Sequence, residues 1–182
     1  MTNIKFIGVG LSKTCTTSLC EAFNILNYHT RHYLNEASFD HMMKGTIGYN
    51  YDFVNDFPIC FKYKHIVNVF PEAKAILTIR NIDDWLNSCK THWSTHTENN
   101  GNWNNYKLEM FGSLTFNEFN FRKVYANHIN EVTTFFDPTQ LLIMDIANGD
   151  GWDKLCPFIN VDIPNVTFPH TNKTVDLDIV TK

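Results

Sequence analysis

The chain has 182 residues, of which 43% are hydrophobic and 19% are charged, and its formal net charge is −4. These values predict one folded domain over residues 1–182 and argue against a disordered or fibrous chain. The negative balance also argues against non-specific binding of nucleic acid, which attracts clustered positive charge.

Five cysteines are scattered along the chain, and no two of them form a CxxC pair. This pattern indicates free thiols in a reducing compartment rather than a disulfide scaffold or a metal site. The first residues lack the basic and apolar regions of a signal peptide, and no apolar stretch approaches the ~20 residues that span a bilayer. We therefore expect a cytoplasmic protein with no membrane partner and no bound metal.

Short apolar, β-rich runs alternate with segments of helical spacing along the chain. The predicted strands cover residues 4–10, 51–57, 73–80 and 140–146. The predicted helices cover residues 16–29, 59–71, 83–93, 117–136 and 151–159. The polar, Asn-rich stretch 94–115 is typical of a loop or lid. Alternating strands and helices predict an α/β sandwich whose mainly parallel central sheet is flanked by helices.

The turn after the first predicted strand, "GLSKTCTTSL" at residues 10–19, is rich in hydroxyl groups. A strand, a tight turn and a helix N-terminus together favour an anion, because the first backbone N–H groups of the helix point outward. Lys13 adds a full positive charge, and four hydroxyl donors follow it, namely Thr14, Thr16, Thr17 and Ser18. The alternative is an ordinary capped turn with a surface lysine. The pattern does not fit the nucleotide-binding GxxxxGK[ST].

A second stretch, "RNIDDWLNS" at residues 80–88, favours the anion interpretation. Arg80 ends a predicted strand, and Ser88 lies eight residues later in the next helix, so the two side chains can return to the same edge. Arginine has planar, permanently charged donors that suit a terminal phosphate. An arginine at this place is alternatively a surface salt-bridge partner.

Four motifs in chain order resemble those of sulfotransferases. "GLSKTCTTS" is similar to their 5′-phosphosulfate-binding loop, with forms such as PKSGTT and GLPRTGTTS, and "RNIDDWLNS" resembles their 3′-phosphate motif. "YDFVNDFP" resembles the VDWP segment of a compact branch, and the closing "GWDKLCPF" and "FPHTN" resemble the C-terminal pattern of that branch. The resemblance covers nearly the whole chain and is weakest at residues 94–115. It implies a P-loop-containing fold.

The resemblance implies a sulfotransferase that uses 3′-phosphoadenosine 5′-phosphosulfate (PAPS) as sulfuryl donor, without a metal. Lys13 would contact the bridging oxygen and the sulfuryl group. The donor-binding residues would be Lys13, Thr14, Cys15, Thr16, Thr17, Ser18, Arg80 and Ser88. The acceptor would be a small molecule with a hydroxyl or amine, aromatic or apolar in character. The oligomeric state stays open.

The catalytic base has two candidates. Asp56, in "Asp56-Phe57-Pro58", occupies the place where many cytosolic sulfotransferases have a histidine before Leu-Pro, 24 residues ahead of Arg80. The alternative for Asp56 is a cap of the following helix. His29 is the second candidate, near a Tyr-His pair of the compact branch, and is alternatively structural or acceptor-contacting. His32 and Tyr33 are assigned to the acceptor pocket, along with the loop near Trp103 and Tyr106.

Some residues depart from the family pattern. Cys15 replaces the loop glycine, and a Cβ at a position with positive φ costs about 1 kcal/mol. A second hypothesis is therefore a catalytically degenerate member that serves as a nucleotide-binding or interaction module. A P-loop kinase is a third, which the missing GK[ST] opposes. His170 and Asn172 either return over the active-site face or hold the tail against the fold.

Overall fold

Five parallel strands form the central sheet. The computed structural model describes residues 4–46, 50–95 and 101–171. The strands are β1 (Phe6–Gly8), β2 (Thr30–His32), β3 (Phe53–Asn55), β4 (Lys74–Thr78) and β5 (Leu141–Met144), and their order is β2-β3-β1-β4-β5. Every neighbouring pair is parallel. The predicted parallel α/β sandwich is therefore confirmed.

Helices connect the strands and cover both faces of the sheet. They are α1 (Thr16–Ile25), α2 (Glu36–Met43), α3 (Ile59–Val69), α4 (Ile82–Thr95), α5 (Gly101–Phe111), α6 (Glu118–Phe135) and α7 (Trp152–Ile159). A short 3-10 helix, Ile146–Asn148, follows β5. Because parallel strands need crossover connections, the helices lie between successive strands and their side chains complete the core.

Alternate residues of each strand face opposite sides of the sheet, which divides the core into layers. Ile7 packs in a cluster with residues of α3 and α6, while the neighbouring Phe6 packs with residues of α1 and α7. A third cluster lies under the loops at the carboxyl ends of the strands and contains Trp85, Phe121 and Tyr125. This cluster supports the edge where ligands of open parallel sheets bind.

Two elements between residues 30 and 43 were not predicted. β2 has only three residues, "TRH", with no apolar run, so neither length nor periodicity marks it as a strand. α2 begins after Asn35, whose side chain accepts a hydrogen bond from the Ser38 amide at 2.8 Å. Its buried residues are only Phe39 and Met42, one helical turn apart.

The prediction of a loop over residues 94–115 is wrong at residues 94–95 and 101–111, which are helical, and correct at residues 112–115. α4 continues to Thr95, and residues 101–111 form α5. Among the α5 side chains that the structure describes, Phe111 is buried, and it stacks on Phe121 with ring centroids 3.9 Å apart. Residues 96–100 lie outside the described residues.

The chain reverses its direction of travel across the sheet at β1, since β3 pairs on one side of it and β4 on the other. The loop after β1 therefore lies at the topological switch point. Gly10 makes the close approach there: a Cβ on it would lie 1.9 Å from Thr78 Oγ1 and 2.9 Å from Thr14 Oγ1. The second glycine of "GVG" is thus required by space rather than by backbone angles.

We expect Gly10→Ala to lower the free energy of unfolding by about 2–3 kcal/mol, because the new methyl overlaps Thr78. Gly45→Ala is the matched control. Its Cβ meets nothing within 4 Å, and its φ of 65° predicts a loss of only about 1 kcal/mol. Urea unfolding of both variants measures the difference. A loss in Gly10→Ala no larger than that in Gly45→Ala would contradict the assignment.

Candidate active site

The carboxyl ends of β1, β2 and β3 lie level with one another. Gly8 pairs with Asn55, and Asn55 pairs with His32, so the residues that follow these strands meet at one edge. β4 ends close to the same level, since Ile76 also pairs with Gly8. This register brings together the loop that holds Lys13, the carboxylate of Asp56 and the residues that follow Thr78.

Hydrogen bonds from side chains to carbonyl groups fix the position of the loop between β1 and α1. Thr14 is fully buried, and its hydroxyl donates to Leu11 O at 2.6 Å and lies 2.6 Å from Thr78 Oγ1. Trp85 Nε1 donates to Ser12 O at 2.9 Å. His128 Nε2 lies 2.7 Å from Val9 O, and burial lowers the pKa of this histidine. Its neutral ring therefore donates to the carbonyl.

Two residues of the loop hold left-handed backbone conformations. Lys13 has φ 74°, and Cys15, immediately before α1, has φ 67° and ψ 29°. The Cys15 side chain makes no capping hydrogen bond, and the first amide with a partner inside the helix is that of Leu19. The start of α1 therefore has the backbone donors and the partial positive charge that suit an anion.

Most of the loop hydroxyls point into the protein rather than toward a ligand. Thr14 bonds Leu11 and Thr78, as described above. Thr16 donates to Asp56 Oδ2 at 2.6 Å, and Ser18 accepts from the amide of Thr171 at 3.1 Å. These hydroxyls therefore fix the loop to the rest of the fold. The Thr14 amide is also bonded within the loop, to Leu11 O at 3.2 Å, and the role of these residues in donor binding stays a prediction.

Arg80 follows β4 and is held by the hydroxyl of Tyr125. The Arg80 amide donates to Tyr125 Oη at 2.8 Å, and that hydroxyl in turn donates to Arg80 O. Within the described part of the chain, Arg80 Nε is buried and has no hydrogen-bond partner. A buried donor without a partner costs about 1–3 kcal/mol, so this atom indicates a missing ligand.

The positive charges of Lys13 and Arg80 both affect the buried thiol of Cys89. Burial strongly raises the pKa of the Cys89 thiol, and the positive charges of Lys13 and Arg80 oppose that rise. Ser88, the predicted partner of Arg80, precedes Cys89 on α4 and is half-buried. Lys13 and Arg80 therefore both lie near this thiol, and the pairing of Arg80 with Ser88 stays a prediction.

Cys15 has a half-buried thiol within reach of the charge of Arg80. Burial raises its pKa, and the positive charge of Arg80 partly opposes the rise. The side chain packs against the cluster formed by α1 and α7. The loop therefore forms with a Cβ at this position, at a strain of roughly 1–2 kcal/mol.

Asp56 is a buried carboxylate that joins three elements. It accepts hydrogen bonds from the Ser12 hydroxyl of the loop and from the Thr16 hydroxyl of α1. The amide of Phe57 donates to Oδ1 at 2.7 Å, and His32 Nε2 of β2 lies 3.0 Å from Oδ2. The residue is only 7% exposed and has φ 64°.

The hydrogen-bond donors around Asp56 determine its ionisation state. Burial alone would raise its pKa, but the hydrogen bond and charge of His32, with the hydroxyls of Ser12 and Thr16, outweigh burial and lower it. The carboxylate is therefore ionised near neutral pH, and its lone pairs are directed at protein donors. Both features weaken Asp56 as a direct proton acceptor.

The structure does not bring His29 to this edge. His29 precedes β2, and its carbonyl accepts from the amides of Asp52 and Phe53 at the start of β3. Because the strands are parallel, this is the amino edge of the sheet, opposite Lys13 and Arg80. Its ring is exposed and lies against Tyr51, with centroids 5.2 Å apart.

His32 also lies at this edge of the sheet. The sequence assigned it only to the acceptor pocket. Its ring meets Asp56 Oδ2 at 3.0 Å and Thr16 Oγ1 at 3.2 Å, and the side chain is 33% exposed. The alternation of "HTRHY" was too short to identify β2, and without that strand nothing aligned His32 with Asp56.

The C-terminal segment returns to α1. Trp152 Nε1 donates to Val166 O at 2.8 Å, and Phe168 packs on the Trp152 ring at 4.8 Å. Thr171 then bonds Ser18 in the first turn of α1. The C-terminal segment therefore packs on α7 and hydrogen-bonds to α1, beside the loop between β1 and α1. His170 is exposed, and Asn172 lies outside the described residues, as do the side chains of Trp103 and Tyr106.

The described residues contain neither a candidate membrane-spanning helix nor a candidate metal cluster. No helix there is both long and apolar enough to cross a bilayer. No group of three or more His, Cys, Asp or Glu side chains there has the arrangement of a metal site.

The chain is similar to proteins of one family. The model of the family described as "Sulfotransferase domain" matches residues 5–177. "Ava biosynthesis cluster protein M" from Aspergillus versicolor is 24% identical, over 92% of this chain and 80% of that protein. The crystal structure of a sulfotransferase from Alicyclobacillus acidocaldarius superimposes with a TM-score of 0.57 at 16% identity, over 98% of this chain and 88% of that one.

Asp56→Asn tests the buried carboxylate. We expect it to lower the free energy of unfolding by about 2 kcal/mol at pH 7, because an amide cannot accept from all four donors. The lowered pKa fixes the sign with pH: the stabilisation is present above the ordinary carboxyl value of 3.8 and is lost as the pH falls through the lower folded value. Urea unfolding at a series of pH values measures it.

The difference between wild type and Asp56→Asn should therefore shrink as the pH falls below about 4. Asp162→Asn removes an exposed charge and controls for net charge alone. A difference that stays constant down to pH 2 would show that the ionised carboxylate does not provide the stabilisation.

Proposed function

Because the chain belongs to the sulfotransferase domain family, we propose that it transfers a sulfuryl group from PAPS to a hydroxyl or amine of a small acceptor. One observation carries the proposal: an uncapped helix N-terminus and two cations, Lys13 and Arg80, lie at the switch point of a parallel sheet. This arrangement suits a ligand with two separated anionic groups. PAPS has a phosphosulfate at one end and a 3′-phosphate at the other.

The proposed binding mode assigns each end of PAPS to one element. The 5′-phosphosulfate would lie against the amides at the start of α1, beside Lys13. The 3′-phosphate would accept from the unpartnered Nε of Arg80 and from Ser88. The residues present fit this donor, because a planar guanidinium with a buried free donor is suited to a terminal phosphate.

Lys13 has the proposed catalytic role on the donor side. During transfer the bond from sulfur to the bridging oxygen breaks, and its electron pair stays on the 5′-phosphate. Negative charge therefore grows on that oxygen, and a fixed ammonium group with the α1 amides stabilises it without reorganisation. The same charges bind the ground state less strongly, so Lys13 contributes more to rate than to affinity.

The surroundings of Asp56 support an aromatic or apolar acceptor. Tyr33 stacks on Phe57 with ring centroids 6.4 Å apart, and Phe61 meets Phe57 edge-on at 5.6 Å. Tyr33 and Phe61 are only partly buried, so both offer surface beside the carboxyl edge. A flat apolar alcohol, phenol or amine fits such a wall better than a charged acceptor does.

The competing hypothesis is a degenerate module without transfer activity. It is supported by Cys15 in place of the loop glycine and by the short chain. The left-handed conformation of Cys15 and the uncapped start of α1 oppose the first ground, because the loop keeps a shape that suits an anion. The names of the relatives do not choose a donor or an acceptor for this chain.

Calorimetric titration with 3′-phosphoadenosine 5′-phosphate, without magnesium, tests the donor site. We expect micromolar binding to wild type. Arg80→Ala should weaken it by about 10- to 100-fold, the value of one or two charge-assisted hydrogen bonds. Lys13→Ala should weaken it less, but should lower turnover of PAPS by about 100-fold or more once an acceptor is found.

Lys64→Ala is the control, because Lys64 is exposed on α3 and pairs with Glu131 at 3.4 Å. Its affinity should match that of wild type. No binding to wild type would refute the proposed donor. Binding with no transfer to any acceptor in a broad screen would favour the module.

A further inference from the structure

The proposed donor-binding mode gives no role to the pair formed by His32 and Asp56. We propose that His32 is the proton acceptor for the acceptor group, and that Asp56 is its positioning residue. This inference rests on the proposed sulfotransferase activity. His32 replaces the two catalytic bases that the sequence suggested. The carboxylate of Asp56 already accepts hydrogen bonds from protein donors, and His29 lies at the opposite edge of the sheet.

The geometry selects one tautomer of the ring. Nε2 lies 3.0 Å from Oδ2 of Asp56, an ionised carboxylate that can only accept, so Nε2 carries the hydrogen. In the neutral ring Nδ1 then has the free lone pair. Among the described residues, Nδ1 of His32 has no hydrogen-bond partner, and the side chain is 33% exposed. A carboxylate that fixes the tautomer of a histidine in this way prepares the other nitrogen to accept a proton.

The pair is joined directly to the anion-binding loop. Thr16, the first residue of α1, donates to Asp56 Oδ2 at 2.6 Å and lies 3.2 Å from His32 Nε2. Thr17 Oγ1 lies 3.5 Å from the same nitrogen. The amides of these two residues belong to the turn that would hold the phosphosulfate. An acceptor that reaches the sulfur therefore arrives beside the imidazole.

Among the described residues, one charged group lies at contact distance from the ring, the carboxylate of Asp56. On α1 and β2, and at the ends of β2 and β3, the titratable groups besides His32 are Cys20, Glu21, His29, Arg31, Tyr33, Asp52 and Asp56. Asp52 pairs with Lys5 at the amino edge, and Arg31 Nε donates to Tyr33 O. Cys20 contacts Thr30 rather than the ring.

The step balances with PAPS as the second substrate. The acceptor O–H or N–H bond breaks, and its proton moves to Nδ1. The electron pair of that bond forms the new bond to sulfur. The bond from sulfur to the bridging oxygen breaks, and 3′-phosphoadenosine 5′-phosphate leaves with that pair. The imidazolium releases its proton to solvent after product release.

Nuclear magnetic resonance of protein labelled with ¹⁵N-histidine tests the tautomer without any acceptor. Long-range ¹H–¹⁵N correlations distinguish the protonated from the unprotonated ring nitrogen, and the His32→Gln spectrum assigns the signal. We expect the Nε2–H tautomer at pH 8, both with and without 3′-phosphoadenosine 5′-phosphate. An Nδ1–H tautomer, or a ring still doubly protonated at pH 9, would overturn the proposal.

Kinetics test the chemical role, with 2-naphthol as the acceptor probe and PAPS as donor. His32→Gln keeps an N–H that can reach Asp56 but cannot take up a proton. We expect its kcat to fall by about 100-fold or more, and the acidic limb of the wild-type pH profile to disappear. Its affinity for 3′-phosphoadenosine 5′-phosphate should stay within about threefold of wild type. A purely structural residue would not remove the limb.

Two further variants separate the possible failures. His65→Gln removes an exposed histidine of α3 and should leave kcat and the pH profile unchanged. Loss of the limb in His29→Gln, with His32→Gln active, would overturn the assignment. Absence of nucleotide binding in wild type would refute the proposed function itself. If 2-naphthol is not a substrate, the tautomer measurement still decides whether His32 has the required form.

Discussion

The buried carboxylate of Asp56 is the interaction on which the geometry of this edge depends. Removing an ionised carboxylate from water is costly unless hydrogen bonds and an opposite charge compensate it. Here the compensation comes from the loop through Ser12, from α1 through Thr16 and from β2 through His32. Each of these elements must be in place for the charge to be stable, so one residue couples the loop, the helix and the edge strand.

A second set of contacts fixes the same loop from the other side. Trp85 and His128 hold the carbonyls of Ser12 and Val9, while Gly10 allows Thr14 and Thr78 to meet. The carbonyls of Val9 and Ser12 and the hydroxyl of Thr14 are thus bonded within the protein. The backbone amides at the start of α1 have no side-chain cap. A rigid loop with outward donors is the preorganised form that electrostatic catalysis requires.

The parts predictable from sequence are those with a local signal. The buried strands are apolar runs, so the parallel sheet could be inferred. The turn after β1 carries Lys13 among hydroxyl residues, and the anion site there stays a prediction. β2 and α2 could not, because three half-exposed residues and one capping asparagine are too short a signal. Because β2 was not predicted, the role of His32 could not be predicted either. Its contact with Asp56 arises from the register of β2 and β3 and not from sequence spacing. His29 looked equivalent until the direction of β2 placed it at the other edge.

The inward orientation of the hydroxyls changes which residues set specificity. If Thr14, Thr16 and Ser18 bonded the ligand directly, each would tune affinity independently. Because they bond the fold instead, the proposed anion binding would depend on the amides, on Lys13 and on Arg80, whose Nε is a buried donor without a partner among the described residues. Such a site recognises charge and spacing more than local chemistry. Ser18 extends this coupling to the tail through Thr171, so the segment that closes the fold also steadies the first turn that faces the anion.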